Sequence, residues 1–545
     1  MSEPEVLVRY LGGESAHRAF FGGSGQRTRN LLLAVCVVAG LVATPLAGWP
    51  GLAVPAVLAG VVLVSTTRTH RGSVLERRRS RARWRARRRL GTDRYVPLDV
   101  AAWDQLQSEL EHARRRDRPA ARLALAAMRG NPDGADGMGW LQYGPGETGI
   151  AWHHPVGEDP YLSVAFSVSG QLRGIESASV LTRAAEGWGS FLAARAAASS
   201  LVSGVQTLTR VLPPDTARQQ AWVAANLDPA ASVEEQQSYA EVIARTSSSA
   251  MVQRHFVVVS WPLTADFVDT ARRYGDGRDG WRALMAAEID GTIRGLAEAR
   301  IGDVAALTAR QTTALILHQQ DPARTLDAAR RADPLQAGIP SRDEFSAHIV
   351  ESSDDSGEPG EWWHRTAAIT AEALAAAPRS QLWVLDLLLG GGLDFPRSVS
   401  FHLRLVPAVE AKIAARRDVV RDLSDKVAEQ QHGRLADDSA AAATTAAQRR
   451  RADLSAGSHH QGVEWIGYVT ISAPSRDGLA LASRQLAEVC ATGLGIDRLE
   501  WMDTYQSAAS GTTWPIGRGI RTGSPSFGSR LYRGLAGHAD REAIA

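Results

Sequence analysis

Arginine is concentrated in one short stretch of the chain, between residues 68 and 89. This stretch contains eleven arginines and is opposed by a single acidic residue, Glu76. Guanidinium groups at this density bind phosphate groups, either of anionic lipid headgroups or of a nucleic acid. Because the stretch directly follows a charge-free apolar segment, we favour the lipid surface. The predicted membrane-surface residues are Arg77, Arg78, Arg79, Arg81, Arg83, Arg85, Arg87, Arg88 and Arg89.

The residue types that carry out most catalysis show no recognisable arrangement. The chain has only two lysines, Lys412 and Lys426, and neither follows a glycine, so the Gly-Lys-Ser/Thr sequence of a phosphate-binding loop is missing. We therefore expect no direct nucleotide binding and assign no cofactor. The adjacent histidines at 153–154 and 459–460 would point to opposite faces of a strand, so we expect surface or turn positions and assign no metal ligand. No catalytic residue is assigned, and the protein is not expected to be an enzyme.

Cysteine supplies neither a disulfide framework nor a metal site. Cys36 lies in the apolar segment and Cys490 on the apolar side of a predicted helix, and the chain has no others. Both are expected to pack as small hydrophobic residues.

The apolar segment spans residues 30–67 and contains no charged residue or histidine. As a single helix it would be roughly 57 Å long, about twice the ~30 Å hydrocarbon core of a bilayer. Two helices fit, because Gly48, Trp49, Pro50 and Gly51 have the composition of a tight turn at a membrane surface. We therefore predict a transmembrane helical hairpin over 30–67, with arms at 31–47 and 52–67, followed by a basic juxtamembrane helix in 68–90. A buried helical hairpin of a soluble protein is the alternative.

The charges on both sides of the apolar segment predict its orientation. Residues 1–90 contain fifteen arginines and four glutamates, a net charge of +11, which leaves −9 for the rest of the chain. Both flanks of the segment are basic and the turn between its arms is uncharged. By the positive-inside rule, we predict a multi-pass protein of the cell membrane with both termini in the cytoplasm.

The chain after residue 90 has the pattern of a mixed α/β protein. Apolar runs indicate strands at 149–153, 161–168, 202–212, 256–261, 398–405, 463–473 and 496–501, and periodic apolar positions indicate helices at 74–90, 99–116, 176–197, 215–225, 232–246, 264–297, 303–319 and 475–492. Strand-helix-strand units flanking helical insertions predict an α+β fold with one or two mixed sheets. A run with few helix breakers at 407–456 predicts a long helix, or a helical hairpin bent near Gly433.

The sequence SSDDSGEPG at 352–360 predicts a linker or exposed loop. It would divide the cytoplasmic part into a first α/β unit, 91–351, and a second α/β unit, 361–545, which contains the long helix. Residues 1–29 would form a short cytoplasmic segment before the membrane.

Several short stretches of the chain occur in the same order as in a known protein family. They are the hairpin, TGIAW at 148–152, SVSGQL at 167–172, GVQTLTRVLPPD at 204–215, residues 401–416 with the helix after them, GYVTISA at 467–473 and PIGRGI at 515–520. Through them the whole chain resembles a family of membrane proteins from high-GC Gram-positive bacteria. Its members join a PrgI-like membrane hairpin to a domain similar to the amino-terminal, non-motor part of the type IV secretion ATPase.

The resemblance implies a membrane-anchored scaffold of a conjugation-type secretion apparatus. Its partners would be a separate motor ATPase and other membrane secretion subunits of a multi-subunit assembly, and it carries over no catalytic residue. The chain ends at Ala545, soon after the point where a motor domain would begin. We interpret this as an anchor without its motor.

Two other interpretations stay open. An EccE-type component of type VII secretion also joins two amino-terminal spans to a cytoplasmic domain. A membrane-bound enzyme with an unrecognised site is the second alternative. Association with a type IV-like ATPase, association with an FtsK-like ATPase, or turnover by the purified protein would separate the three.

Overall fold

The computed structural model of the chain describes residues 9–11, 24–66, 73–155, 158–170, 176–214, 222–223, 225–226, 228, 230–247, 251–324, 331–353, 359–374, 377–379, 382–390, 393–413, 415–416, 448–449, 451–454, 460–496 and 499–519.

Two successive helices form the apolar part of the chain, α1 (Ser24–Ala47) and α2 (Trp49–Thr66). Gly48 joins them with a φ of 60°, a conformation that favours glycine. The helices contact each other closely at Gly51, where an added Cβ would lie 2.3 Å from the Ala43 carbonyl oxygen. By length and composition one of the described helices, Trp49–Thr66, could cross a membrane, whereas the apolar part of α1, Leu31–Ala47, is shorter. Two membrane crossings therefore stay a prediction.

The rest of the described chain is a mixed α/β fold built around one large sheet. Its strands are β2 (Arg94–Pro97), β3 (Met128–Arg129), β4 (Met138–Trp140), β5 (Ala151–His153), β6 (Tyr161–Val168), β7 (Gly204–Leu212), β8 (Val252–Pro262), β9 (Val304–Ala306), β10 (Ser341–Asp343), β11 (His348–Ser353), β12 (Pro359–Ile369), β14 (Arg397–Val406), β15 (Gly462–Ala473) and β16 (Glu500–Trp501). Across the sheet the order is β3-β2-β10-β11-β12-β15-β14-β7-β8-β6-β5-β4, with β16 beside β12 and β9 beside β6. A separate pair joins β1 (Arg9–Leu11) to β13 (Ala377–Arg379).

The helices after the apolar part are α3 (Val74–Leu90), α4 (Val100–His112), α5 (Arg118–Ala127), α6 (Ala178–Arg195), α7 (Val233–Ser247), α8 (Ala265–Ala271), α9 (Gly277–Glu298), α10 (Ala309–Gln320), α11 (Leu385–Leu389), α12 (Arg476–Thr492) and α13 (Gln506–Ser510). A 3₁₀ turn at Asp133–Ala135 and another at Gly511–Thr513 lie beside α13.

One face of the sheet is apolar and is covered by helices. Over β6 to β8 it packs against α6, α8 and α9, with Phe191, Trp261 and Phe267 in the core. Over β12 to β15 it packs against α11 and α12, with Val469 and Leu486 fully buried. Strands that are covered on both faces have continuous apolar runs, which is why β6 was predictable from its sequence.

The opposite face of the sheet carries a row of polar residues. Cross-strand partners share a face, and Arg254, Arg210, Ser398, Thr470 and Thr366 are consecutive partners across β8, β7, β14, β15 and β12. The helix α10 and residues 506–516 cover this row, so most of its side chains are buried.

The structure corrects the predicted division of the body at 352–360. Ser352 pairs with Gly360 and Ser353 with Pro359, so the described ends of this segment belong to adjacent antiparallel strands. The two predicted units, 91–351 and 361–545, share the one large sheet, since β7 of the first also pairs with β14 of the second. The two predicted units therefore belong to one sheet and are not separate domains.

Two predicted helices lie largely outside the described residues. They are 215–225, of which the described residues 222–223 and 225 are helical, and the long helix at 407–456, of which the described residues 408–413, 415–416, 448–449 and 451–453 are helical. The predicted helix at 303–319 is instead the strand β9 followed by α10. The helix α10 begins after Thr308, whose side-chain oxygen accepts a hydrogen bond from Gln311 N and so caps the helix.

Candidate functional site: the arginine helix and its attachment

The helix α3 carries most of the predicted membrane-surface residues on its exposed side. Eight of the nine are exposed, namely Arg77, Arg78, Arg79, Arg81, Arg83, Arg85, Arg88 and Arg89. The helix begins at Val74, soon after α2 ends at Thr66, and the two helices are in contact. The exposed arginines therefore form a cationic surface next to the apolar helices, which we call the arginine surface.

Arg87 differs from the other eight, because it is buried and only 6% exposed. Its Nη1 atom donates to Asp343 Oδ2 at 2.6 Å and to the Thr504 carbonyl at 2.5 Å. Its Nη2 atom donates to Asp133 Oδ2 at 2.9 Å and to the Thr92 carbonyl at 2.7 Å. Both terminal nitrogens of the guanidinium therefore bind inside the protein, which corrects the predicted place of Arg87 on the membrane surface.

Asp343 is the centre of this buried network. Its side chain has no solvent exposure and also accepts hydrogen bonds from Ser507 N at 2.9 Å, Ser507 Oγ at 2.7 Å and His348 Nδ1 at 3.1 Å. Ser507 Oγ lies 2.9 Å from Asp133 Oδ2 as well. One arginine thus connects α3 to β10, to the turn at Asp133–Ala135 and to α13.

Aromatic contacts extend the attachment of α3 to the body. The Tyr505 ring lies 4.8 Å from the Arg87 guanidinium and 5.9 Å from that of Arg83, within the range of cation–π contacts. Trp84 makes an edge contact with Phe345, with ring centroids 6.4 Å apart. We call Arg87, Asp133, Asp343, Ser507 and these aromatic contacts the helix clamp.

The end of α3 fixes the position of the helix clamp. Thr92 N donates to the Arg87 carbonyl and Gly91 N to the Arg88 carbonyl, which is the Schellman pattern of a helix end. Gly91 has a φ of 71°, and a Cβ there would lie 3.0 Å from Leu123. Glycine therefore meets both the conformational and the steric requirement at this position.

A sequence signal for the inward orientation of Arg87 does exist. Trp84 precedes it by three residues and Ser80 by seven, and side chains at these spacings share one face of a helix. Both are half-buried, so the face that holds the tryptophan is the one that faces the body. Charge alone gave no such information, because the surrounding positions 83, 85, 88 and 89 are also arginine.

Buried histidines pair with hydroxyl groups on the polar face of the sheet. His364 Nδ1 lies 2.8 Å from Ser472 Oγ, and His364 Nε2 lies 2.8 Å from the Gln320 carbonyl. His153 Nε2 lies 2.8 Å from Ser163 Oγ and the residue is 2% exposed, which corrects its predicted surface position, whereas His154 is exposed. Burial lowers the pKa of both His153 and His364 to about 3, so both are neutral at pH 7.

The described space beside one of these pairs, His364 and Ser472, is small. A small cavity beside His364 offers a water molecule about 10 Å³ of free space, roughly what one ordered water needs. Among the described residues no group of three or more His, Cys, Asp or Glu side chains could hold a metal ion. Cys490 is fully buried in the apolar core, as predicted, and burial raises the pKa of its thiol to about 12.

Comparison of the chain with models of protein families and with curated proteins finds no match.

Proposed function

We propose that this protein is a membrane-anchored scaffold of a conjugation-type, type IV-like secretion apparatus, which docks a separate motor ATPase. The observation that carries the proposal is the arginine surface, which lies next to exposed apolar helices and is attached to the large sheet by the helix clamp. A surface of this kind binds anionic headgroups at about 1 kcal/mol for each basic residue near the membrane. The helix clamp would hold the sheet in a fixed position relative to the membrane-bound helix α3.

The pairing of β1 with β13 supports two membrane crossings. Residues 9–11 precede α1, and Ala377–Arg379 follows α3, yet Arg9 pairs with Arg379 and Leu11 with Ala377. Backbone pairing of this kind cannot extend across a hydrocarbon core, so both strands belong on one side of any membrane. An even number of crossings between them meets this condition, and the contact between α1 and α2 fits a hairpin.

The buried histidine and serine pairs of the described body have little room beside them for a substrate. Both pairs are buried in the sheet, and the cavity beside His364 and Ser472 has room for about one water molecule. A substrate pocket in proteins is typically hundreds of Å³. The exposed cations lie on α3, outside this cavity, where they can contact a surface.

Purification of the full-length protein from its native membrane in mild detergent, followed by mass spectrometry, tests the proposal. We expect a type IV-like ATPase and further membrane secretion subunits to co-purify. Recovery of an FtsK-like ATPase in their place would assign the protein to type VII secretion. ATP hydrolysis by the purified chain alone would contradict a scaffold role.

A variant pair makes this experiment specific for the attachment of the body. Arg87→Met opens the helix clamp, whereas Arg88→Met changes a neighbouring exposed arginine and serves as the matched control. We expect the Arg88→Met protein to retain the ATPase and the Arg87→Met protein to lose it at equal membrane content. Equal retention by both variants would show that docking does not need the helix clamp.

A further inference from the structure

Two arginines face each other on the polar face of the sheet without an acidic partner between them. Arg210 of β7 and Arg254 of β8 are direct cross-strand partners, so their side chains leave the sheet on the same side. Like charges at directly opposed positions destabilise a strand pair. Neither residue forms an ion pair with any side chain in the part of the chain that the structure describes.

Arg210 is 1% exposed and only partly satisfied by hydrogen bonds. Its Nη2 atom donates to His318 Nδ1 at 2.9 Å and to the His318 carbonyl at 3.3 Å, near the carboxyl end of α10. Its Nε and Nη1 atoms are buried and have no hydrogen-bond partner among the described residues. Two donor atoms of a buried cation therefore have no described acceptor.

Arg210 lines the small cavity described above, and the described lining of that cavity offers no negative charge. Arg210 lines it together with Gln319, His364, Ser398 and Thr470, and no carboxylate is part of the described lining. Burial and the nearby Arg254 lower the pKa of Arg210 to about 9, which still leaves it charged at pH 7. Burial, followed by the charge of Arg210, lowers the pKa of His318 to about 2, so that histidine is neutral.

We infer that Arg210 binds a small monovalent inorganic anion, of the size of chloride, in this cavity. A water molecule could accept a hydrogen bond from Nε or Nη1, but it would leave the buried charge uncompensated, and a buried charge without a counter-ion is costly. An anion satisfies the donors and the charge together. The small free volume selects a halide over larger anions such as phosphate, sulfate or gluconate.

Thermal unfolding of the full-length protein in detergent tests this inference. The midpoint is measured in sodium chloride, sodium bromide and sodium gluconate at equal ionic strength and pH. We expect a midpoint that rises and saturates with chloride or bromide but not with gluconate, because a ligand that binds only the folded state stabilises it. Equal midpoints in chloride and gluconate would overturn the inference and assign the cavity to water.

Variants separate this site from general halide effects. Arg210→Met should lose the halide-specific rise of the midpoint. Arg404→Gln, which changes a half-buried arginine of β14 that pairs with Glu464, should keep it. An undiminished rise in Arg210→Met would overturn the inference.

A direct measurement covers the case in which Arg210→Met does not fold. Anomalous diffraction from crystals of the unaltered protein grown in bromide should show a peak within hydrogen-bond distance of Arg210 Nε or Nη1. Bromide found only at exposed arginines would overturn the inference.

Discussion

Two buried arginines in this protein have opposite surroundings. Arg87 lies between two carboxylates, Asp133 and Asp343, and all its described contacts are made by the chain itself. Arg210 is buried even more deeply and touches a neutral histidine, with a second arginine opposite it in the sheet. The same residue type thus does two different things: the first joins elements far apart in sequence, and the second attracts a ligand.

The difference follows from where the two arginines lie. Arg87 is in a helix that must be held against the body, so its partners come from three other elements of the fold. Arg210 lies in the middle of the sheet, where its direct cross-strand partners are Ser398 and Arg254 and its hydrogen-bond partner is His318 of α10, none of them acidic. Burial of a charge is stabilised by fixed partners in one case and by an exchangeable one in the other.

The largest effect is expected from Arg87→Met. It leaves Asp343, whose side chain is fully buried, without its cationic partner, and loss of one member of a buried ion pair costs about 3–5 kcal/mol. Urea unfolding of the full-length protein in detergent measures this cost. Arg88→Met, at the next and exposed position, should change the free energy of unfolding by less than about 0.5 kcal/mol. Similar costs for the two variants would remove the contrast between the buried and exposed arginines of α3.

A smaller effect on the stability of the protein is expected from acid, through the buried His364 near Arg210. Burial, and next the charge of His348, lower the pKa of His364 to about 3, whereas an unfolded histidine titrates near 6.5. The unfolded state therefore binds a proton that the folded state does not, and stability falls as the pH drops from about 6.5 toward 3.

His364→Gln should remove this proton while keeping a donor for the Gln320 carbonyl and an acceptor for Ser472 Oγ. At constant chloride, we expect the variant to lose up to about 1.4 kcal/mol less per pH unit than the unaltered protein in that range. Urea unfolding at a series of pH values measures the two slopes. His154→Gln changes an exposed histidine and should leave the slope unaltered. Parallel slopes for His364→Gln and the unaltered protein would mean that His364 is not buried neutral.

Gly91→Ala should weaken the end of α3 that positions Arg87. A positive φ costs a non-glycine residue about 1–2 kcal/mol, and the added Cβ would also approach Leu123. Gly189→Ala, at an exposed helical glycine with open space around it, should be neutral or stabilise by up to about 1 kcal/mol. Thermal unfolding of both variants compares them, and a Gly91→Ala protein as stable as Gly189→Ala would contradict the described helix end.

The smallest effect for each residue is expected on the arginine surface. A variant in which Arg77, Arg78, Arg81 and Arg85 are all changed to Gln should bind anionic lipid more weakly, by about 1 kcal/mol for each residue. Its folding should be unaffected. The amount of anionic lipid that co-purifies with the full-length protein measures this. The matched control changes four exposed arginines of the body, Arg273, Arg331, Arg476 and Arg484. Equal lipid content in the two proteins would exclude a lipid role for the arginine surface.

Local patterns were sufficient to predict individual elements. The helix Val74–Leu90 and the strand Tyr161–Val168 follow the sequence prediction residue for residue, because a charged helix between breakers and a doubly covered apolar strand have distinct local signatures. Residues 303–319 were predicted as one helix, since nothing in the apolar spacing revealed that Val304–Ala306 pairs with β6. The capping threonine at 308 was the missed signal.

The pairing of strands that are far apart in the chain could not be predicted from the sequence. The row that places Arg254, Arg210 and Ser398 side by side depends on the register of strands that are up to about two hundred residues apart. For the same reason the segment at 352–360 looked like a boundary between units. Arg87 was assigned to the membrane surface because its partners, Asp133 and Asp343, are distant in sequence.

Thiol labelling of intact cells tests the membrane anchor most directly. In a Cys36→Ala background, with Cys490 buried, a Trp49→Cys protein places a thiol at the exposed turn between α1 and α2, and an Arg79→Cys protein places one on the arginine surface. A membrane-impermeant maleimide should label Trp49→Cys in intact cells and Arg79→Cys only after permeabilisation. Protection of both thiols in intact cells, or labelling of Arg79→Cys from outside, would contradict a double crossing that holds the body at the inner face.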